Sequence, residues 1–203
     1  MRKPSSLLLV LLLSTLLLSA QDTPRAELFG GYALARIDDT NGLSEEHITQ
    51  MGWNASAAIN FSRYLGAVAD FGGYYGSHRL PPFTALTCPT CPMTTPSPFK
   101  ADTKYHTFLF GPQLSLRLEH ITPFVHGLFG VAHEHADLTP STPGGTASAT
   151  GFSFAVGGGL DANIASHLAF RLQGDYLHSN LFDPLPSQGN ARFSTGLVFR
   201  FGD

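Results

Sequence analysis

Apolar and polar side chains alternate along much of the chain, first clearly in residues 51–61. In that segment Met51 and Trp53 are apolar, whereas Asn54 and Ser56 are polar. A period of two places successive side chains on opposite faces of a β-strand. The segment is therefore predicted to be a strand with one polar and one apolar face.

The same alternation returns six more times before the end of the chain. The further predicted strands lie near residues 65–75, 107–118, 125–134, 152–161, 170–176 and 192–201. Short polar turns join the second strand to the third, the fourth to the fifth and the sixth to the seventh, which predicts antiparallel hairpins. With a less clearly phased first strand near residues 25–37, the predicted total is eight.

Short and long connections alternate between these strands. The long ones span residues 38–48, 77–103, 137–150 and 178–189. Because antiparallel neighbours send alternate connections to opposite ends of a sheet, all long loops are expected at one end and all short turns at the other. This is the plan of a transmembrane β-barrel, with tight periplasmic turns and longer external loops.

The polarity of the two faces predicts which one points into the barrel. Eight strands enclose only enough room for side chains to fill, so bulky residues such as Phe108, Phe110, Phe152 and Phe199 are expected to face lipid. The polar face is then internal, where buried charges must pair with one another. The predicted lumen charge network consists of Asp70, Arg117, Glu134, Asp161, Arg171, Asp175, Arg192 and Arg200.

Four tyrosines fall near predicted strand ends: Tyr64, Tyr75, Tyr105 and Tyr176. Tyrosine is enriched where a membrane meets water, because its ring is apolar and its hydroxyl is polar. The four are therefore predicted to form an interfacial girdle.

The first twenty residues are typical of a secretory signal peptide. Arg2 and Lys3 precede a largely apolar run at residues 7–18, and the small residues Ser19 and Ala20 follow. Such a run is short for a membrane-spanning helix, which needs roughly 20 apolar residues. We therefore predict a cleaved signal peptide at residues 1–20 and one barrel domain at residues 21–203.

Composition narrows the possible partners. The chain has 203 residues with a formal charge of −3 and no basic block beyond its start, so nucleic acid is an unfavourable partner. The only cysteines, Cys88 and Cys91, lie among prolines and threonines in the longest loop. Since export permits oxidation, they are candidates for a small disulfide that stiffens this loop.

The whole-chain pattern resembles the small eight-stranded outer-membrane barrels related to the OmpA and OmpX transmembrane domains. Five segments carry the likeness: GGY at 30–32, GWNAS at 52–56, PFVH at 123–126, GGGLD at 157–161 and STGLVFRF at 194–201. The resemblance implies residence in the bacterial outer membrane and assembly by the barrel insertion machinery.

Several functions are compatible with such a barrel. Some outer-membrane barrels are lipid-modifying enzymes or proteases, but His126 is predicted on the opposite face from His133 and His135, so these histidines do not converge. A passive pore and a soluble lipocalin-like carrier are further alternatives, although an open channel normally takes sixteen or more strands. We favour a non-enzymatic, monomeric structural barrel in contact with outer-membrane lipid. It would need no cofactor or metal, and its four surface loops would serve adhesion or binding of an unidentified ligand.

Overall fold

Eight antiparallel strands form a closed barrel. The computed structural model describes residues 23–37, 48–80, 99–139, 146–180 and 188–202. The strands are β1 (Ala26–Ile37), β2 (Ile48–Asn60), β3 (Leu65–Leu80), β4 (Phe99–Ser115), β5 (Ile121–Thr139), β6 (Thr146–Ala165), β7 (Leu168–Asn180) and β8 (Gln188–Phe201). Each strand pairs with the next, and β8 pairs with β1. The predicted fold class is confirmed.

In the described part of the chain, no helix combines the length and the apolar character needed to cross a membrane.

Several strands reach further toward the long connections than the alternation predicts. Strand β3 continues to Leu80 and β4 starts at Phe99, while β5 ends at Thr139 and β6 starts at Thr146. These extensions carry polar residues such as Lys100, Asp102 and Lys104. The strand pairing therefore continues beyond the residues in which apolar and polar side chains alternate.

The two ends of the barrel differ, and we call them the turn end and the loop end. The turn end holds both termini of the described chain and the three short connections. There the backbone N–H of Leu118 donates to the carbonyl of Ile121 at 3.0 Å. The side-chain amide of Asn60 donates to the carbonyl of Pro24 at 2.7 Å, which joins the first hairpin to the start of β1. In a transmembrane barrel, tight turns of this kind are expected on the periplasmic side.

The strands are staggered by ten residues around the barrel. A row of directly paired, lumen-facing residues that leaves β2 at Gln50 returns to β2 at Asn60. Its members are Gln50, Ala35, Arg192, Asp175, Gly157, His126, Gln113, Gly66 and Asn60. For eight strands this stagger tilts the strands by ~40°. Side chains that lie at the same height in the lumen therefore come from residues that are not paired directly across neighbouring strands.

The apolar face of the barrel points outward. Among its exposed side chains, Phe193 is 65% accessible, Ile164 62% and Phe152 60%. The charged side chains of Asp70, Arg192 and Asp161 are buried inside. The face assignment is confirmed, and the alternative of a soluble carrier with a charged exterior is wrong.

The lumen also contains an apolar filling that the alternation does not predict. Leu109, Leu128 and Leu177 are 2% accessible or less and pack together with smaller apolar side chains inside the barrel. Buried aliphatic groups in contact with one another exclude water from the space between them. The described lumen is therefore a packed core with polar layers.

Candidate functional site

One polar layer, here called the central network, crosses the lumen at Arg192. Its guanidinium Nη1 donates to Asp70 Oδ1 at 2.6 Å, and its Nε donates to Asp175 Oδ2 at 2.6 Å. His126 Nε2 lies 2.7 Å from the other oxygen of Asp175. We define the central network as Asp70, His126, Asp175 and Arg192. These side chains come from β3, β5, β7 and β8, so the network ties together non-adjacent strands.

Neutral polar groups surround this network. The side-chain amide of Asn54 donates to Asp70 at 2.9 Å, and that of Gln173 donates to Asp175 at 2.8 Å. The hydroxyl of Tyr74 lies 3.3 Å from Arg192 Nη1. Ion pairs that are removed from water persist only when further hydrogen bonds satisfy their remaining lone pairs and protons. The central network meets this requirement on both carboxylates.

A second polar layer, the turn-end network, lies nearer the short turns. It consists of Glu27, Arg117, Asp161, Arg171 and Arg200. Arg171 binds Asp161 through two parallel hydrogen bonds of 2.7 and 2.9 Å, the planar geometry that matches a guanidinium to a carboxylate. Arg117 Nη2 donates to Glu27 at 2.6 Å, and Arg200 Nη2 donates to Asp161 at 3.3 Å.

Two phenylalanines hold Arg171 within the turn-end network. Its guanidinium carbon lies 4.3 Å from the ring centroid of Phe124 and 5.3 Å from that of Phe29. A guanidinium stacks favourably on an aromatic face because the ring quadrupole is negative there. Arg171 is thus fixed by its carboxylate partner and by the two rings together.

Seven of the eight predicted lumen charges fall into these two networks. The eighth, Glu134, lies half-buried on β5 opposite Tyr105, and no lysine or arginine of the described ranges forms an ion pair with it. Cys88 and Cys91 lie outside the described residues. The predicted signal peptide at residues 1–20 lies outside them as well.

Sequence reasoning missed two members of the networks, Glu27 and His126. Glu27 belongs to the strand with the weakest alternation, where residues 32–35 are all apolar. His126 was placed correctly on the lumen face, but its partner Asp175 is 49 residues away on β7. The presence of a histidine on a lumen face that also carries carboxylates is the signal that could have identified His126 as a member of the network.

The tyrosine prediction is right only in part. Tyr75 and Tyr176 are exposed on the outward face, as a membrane girdle requires. Tyr105 is instead buried in the lumen, where its hydroxyl lies 2.5 Å from that of Ser179. Thr107 and Leu109, which follow it at intervals of two residues along β4, also point inward. The phase of the strand therefore decides the position of Tyr105, and not its distance from the strand end.

The histidines of β5 do not converge on a site. His133 lies 2.7 Å from the hydroxyl of Thr150, and His135 lies 3.3 Å from Asp137. Both point outward, while His126 points inward. The described residues contain no group of three or more histidine, cysteine, aspartate or glutamate side chains arranged to hold a metal ion.

Charged and hydroxyl groups form a rim on the outward face of β3, β4 and β5 at the loop end. Ser77 donates a hydrogen bond to Asp102, and Lys100 forms an ion pair with the same carboxylate at 2.9 Å. These two donors hold the pKa of Asp102 below its ordinary value. The carboxylate therefore stays ionised at the surface from which the long connections leave.

Comparison with known families shows to which family this barrel belongs. A family model described as the outer membrane protein beta-barrel domain matches residues 5–201. The chain belongs to this family. It is accordingly an integral outer-membrane barrel of the OmpA/OmpX-like type. No curated protein sequence matches the chain.

Three solved structures illustrate the likeness of this outer-membrane barrel to others. Ail, the attachment invasion locus protein of Yersinia pestis, in complex with the heparin analogue sucrose octasulfate, is 20% identical with a TM-score of 0.56, over 87% of this chain and 97% of that one. Neisserial surface protein A is 11% identical with a TM-score of 0.60, over 89% and 100%. OprG from Pseudomonas aeruginosa is 11% identical with a TM-score of 0.51, over 90% and 98%. At these identities the likeness concerns the fold alone.

Proposed function

We propose that this protein is a non-enzymatic, monomeric component of the outer membrane that displays four external loops for adhesion or binding. One observation carries the proposal. All four long connections leave the barrel at the loop end, above a lumen that is crossed by two buried charge networks. Binding residues commonly lie on loops that a rigid scaffold positions.

The packing of the lumen argues against a passive pore. Arg192 is fully buried between two carboxylates, and Leu109 and Leu128 fill space beside the polar layers. An ion that passed through would have to displace these ion pairs. The free energy of breaking a buried pair is about 3–5 kcal/mol, so a standing channel is unfavourable.

The arrangement around His126 argues against catalysis. His126 and Asp175 resemble an acid/base pair, but the side chain of His126 is only 2% accessible. Arg192 and Gln173 also donate hydrogen bonds to Asp175, which hold its carboxylate in place inside the barrel. A general base must come within hydrogen-bond reach of its substrate, and this pair lies in the packed lumen.

The composition of the long connections indicates the class of ligand. Between the strand ends, the segments 38–47, 81–98, 140–145 and 181–187 contain no lysine or arginine. Arg79 and Lys100, which fall within the predicted connection 77–103, belong to β3 and β4. Five acidic residues occur in the four segments: Asp38, Asp39, Glu45, Glu46 and Asp183. Electrostatic complementarity therefore favours a cationic or neutral ligand. Sulfated polyanions of the kind bound to Ail are disfavoured for this chain.

The orientation can be tested with the two native cysteines. On intact, reduced cells that express the full chain, a membrane-impermeant maleimide is expected to label Cys88 and Cys91. As a matched control, E119C in a C88S/C91S background places one thiol in an exposed short turn. This control should be labelled only after the cells are broken. Labelling of E119C on intact cells would reverse the orientation and contradict the proposal.

Binding can be tested with the protein in phosphatidylcholine nanodiscs, using a lysine-rich peptide and heparin as probes. The peptide should bind the wild-type protein and should bind D38N/D39N/E45Q/E46Q more weakly. For both proteins the affinity for the peptide should exceed the affinity for heparin. Equal peptide binding by the two proteins would contradict a role for the acidic loop. A large steady conductance in planar bilayers, or a changed mass of lipid A in expressing cells, would favour the pore or the enzyme instead.

A further inference from the structure

A cavity of about 320 Å³ opens at the turn end, beside the turn-end network. Its polar lining includes Arg117, Thr122, Asn163, Ser166 and Arg200. These residues come from the connection after β4, from β5, from β6 and its turn, and from β8, so the cavity is framed by several strands. Its volume is at the lower end of the range for small-molecule sites.

Among the described residues, the charges of the turn-end network beside this cavity do not balance. The turn-end network has three arginines, Arg117, Arg171 and Arg200, and two carboxylates, Glu27 and Asp161. Three positive and two negative charges leave a surplus of +1. The neighbouring acid, Glu119, lies exposed in the adjoining turn. A buried surplus of positive charge is unfavourable unless an anion compensates it.

Two donors of these arginines are also unused. Arg117 donates from Nη1 to the carbonyl of Arg63 and from Nη2 to Glu27. Arg200 donates from Nη1 to Asn163 and from Nη2 to Asp161. The Nε–H groups of both are buried and have no hydrogen-bond partner among the described residues. Arg200 is only 8% accessible. Arg192 Nη2 in the central network is also without a partner among the described residues, but it is not part of the lining of this cavity. Buried charged donors without partners are rare in folded proteins, and an ordered water or a bound ion commonly satisfies them.

Hydroxyl and amide groups complete the lining. Thr122 is buried, at 3% accessibility, and Ser166 adds a second hydroxyl. Asn163 donates to the carbonyls of Leu118 and Glu119 and accepts from Arg200, so it positions that guanidinium. The donors thus belong to separate side chains on different strands. This distribution suits a tetrahedral oxyanion better than a planar carboxylate, which one guanidinium fork satisfies alone.

We propose that the turn-end cavity is a binding site for a phosphate group, with Arg117 and Arg200 as its principal ligands and Thr122 as a third donor. Two sources present this same chemistry: a free phosphate or phosphomonoester in the periplasm, and the headgroup of a phospholipid in the adjacent leaflet. The site is independent of the loop-display function, because it lies at the opposite end of the barrel.

The test is a titration of the full protein, extracted from membranes into octyl glucoside, by isothermal calorimetry at constant ionic strength. Inorganic phosphate is expected to bind saturably. R117K and R200K keep the charge but lose the Nε–H donor geometry, and each should weaken binding about tenfold, as the loss of one hydrogen bond to a charged group implies. R36K is the matched control, because Arg36 is exposed on the outward face near the loop end. Its affinity should equal that of the wild type.

A second arm identifies the source of the phosphate. Dihexanoyl phosphatidylglycerol below its micellar concentration presents the same group as a diester. Tighter binding of this lipid than of inorganic phosphate assigns a headgroup site, and the reverse assigns a free anion; either result supports the proposal. T122V retains every charge and should weaken binding by a few fold, so it tests the site if an arginine variant does not fold. Absence of saturable binding of both anions, or equal weakening by R36K and R117K, would overturn the proposal.

Discussion

The central network makes a quantitative prediction for R192M. Arg192 is 0% accessible, and its guanidinium is the shared partner of Asp70 and Asp175. Methionine retains much of the length of the arginine stem but offers neither charge nor donor. In this variant Asp70 retains the amide of Asn54, and Asp175 retains Gln173 and His126.

The expected loss of stability is about 3–5 kcal/mol. The substitution removes two charge-assisted hydrogen bonds of 2.6 Å, each of which contributes ~1.5–3 kcal/mol. It also leaves two carboxylates buried near one another without their cation, and removal of one partner from a buried ion pair typically costs ~3–5 kcal/mol. The total free energy of unfolding of a domain is commonly about 5–15 kcal/mol, so the effect is large.

A triple variant separates the cost of buried charge from the cost of lost packing. D70N/R192M/D175N removes all three charges, so no carboxylate remains without its cation. We expect it to be at least ~2 kcal/mol more stable than R192M, because replacing a whole buried ion group is often close to neutral. If the triple variant is as unstable as R192M, the loss arises from packing and the electrostatic reasoning is refuted.

Urea unfolding in lipid vesicles measures these differences. Trp53 is the only tryptophan of the chain, and it is 43% accessible on the lipid-facing side, so its fluorescence reports departure from the membrane. Gel mobility with and without boiling gives an independent measure of folding. R36M is the control, because Arg36 is exposed on the outward face and should lose less than ~1 kcal/mol. A loss below ~1 kcal/mol for R192M as well would contradict the role assigned to the network.

Two further predictions concern depth in the membrane and closure of the barrel. F110R lies well inside β4 with its side chain 50% accessible and should cost ~2–4 kcal/mol, whereas L118R, 47% accessible beside the turn, should cost ~0–1 kcal/mol; equal losses in vesicle unfolding would contradict the assigned depth. G31A should cost ~1–3 kcal/mol, because its Cβ would meet the backbone carbonyl of Thr195 across the β1–β8 seam, whereas G30A points into open space and should leave the unfolding midpoint nearly unchanged. Similar midpoints for the two glycine variants would show that the seam tolerates a wider separation.

The fold is predictable because the bilayer and the packed lumen impose opposite demands on successive residues. On β2, Trp53 and Asn54 are neighbours in sequence, yet one faces lipid and the other donates to Asp70 in the lumen. A shift of one residue would exchange the two faces, so the phase of each strand is strongly fixed. The alternation of short and long connections then gives the antiparallel order. Family membership is readable at this level because strand number, order and polarity are its shared features.

Partners across the lumen are not predictable from that pattern, because alternation gives the face of a residue but not its height. The stagger and tilt of the strands decide height, and they bring Asp70 and Arg192 together although they are 122 residues apart. The same geometry separates Glu134 from the arginines and brings in Glu27 from the strand with the weakest pattern.

Charge balance shows why this height matters for function. The described lumen face carries five carboxylates, at Glu27, Asp70, Glu134, Asp161 and Asp175, against four arginines, at 117, 171, 192 and 200. From the sequence this face carries nearly equal numbers of carboxylates and arginines, and nothing in it suggests an anion site. The folded barrel instead divides the charges by layer. Two carboxylates share Arg192 in the centre, whereas three arginines share two carboxylates at the turn end. Because a Coulomb interaction weakens with distance, the acids of the central layer and the loop end do not neutralise the surplus at the turn end as an adjacent anion would. The positive surplus beside the cavity at Arg117 and Arg200 is therefore a consequence of where the stagger places each charge.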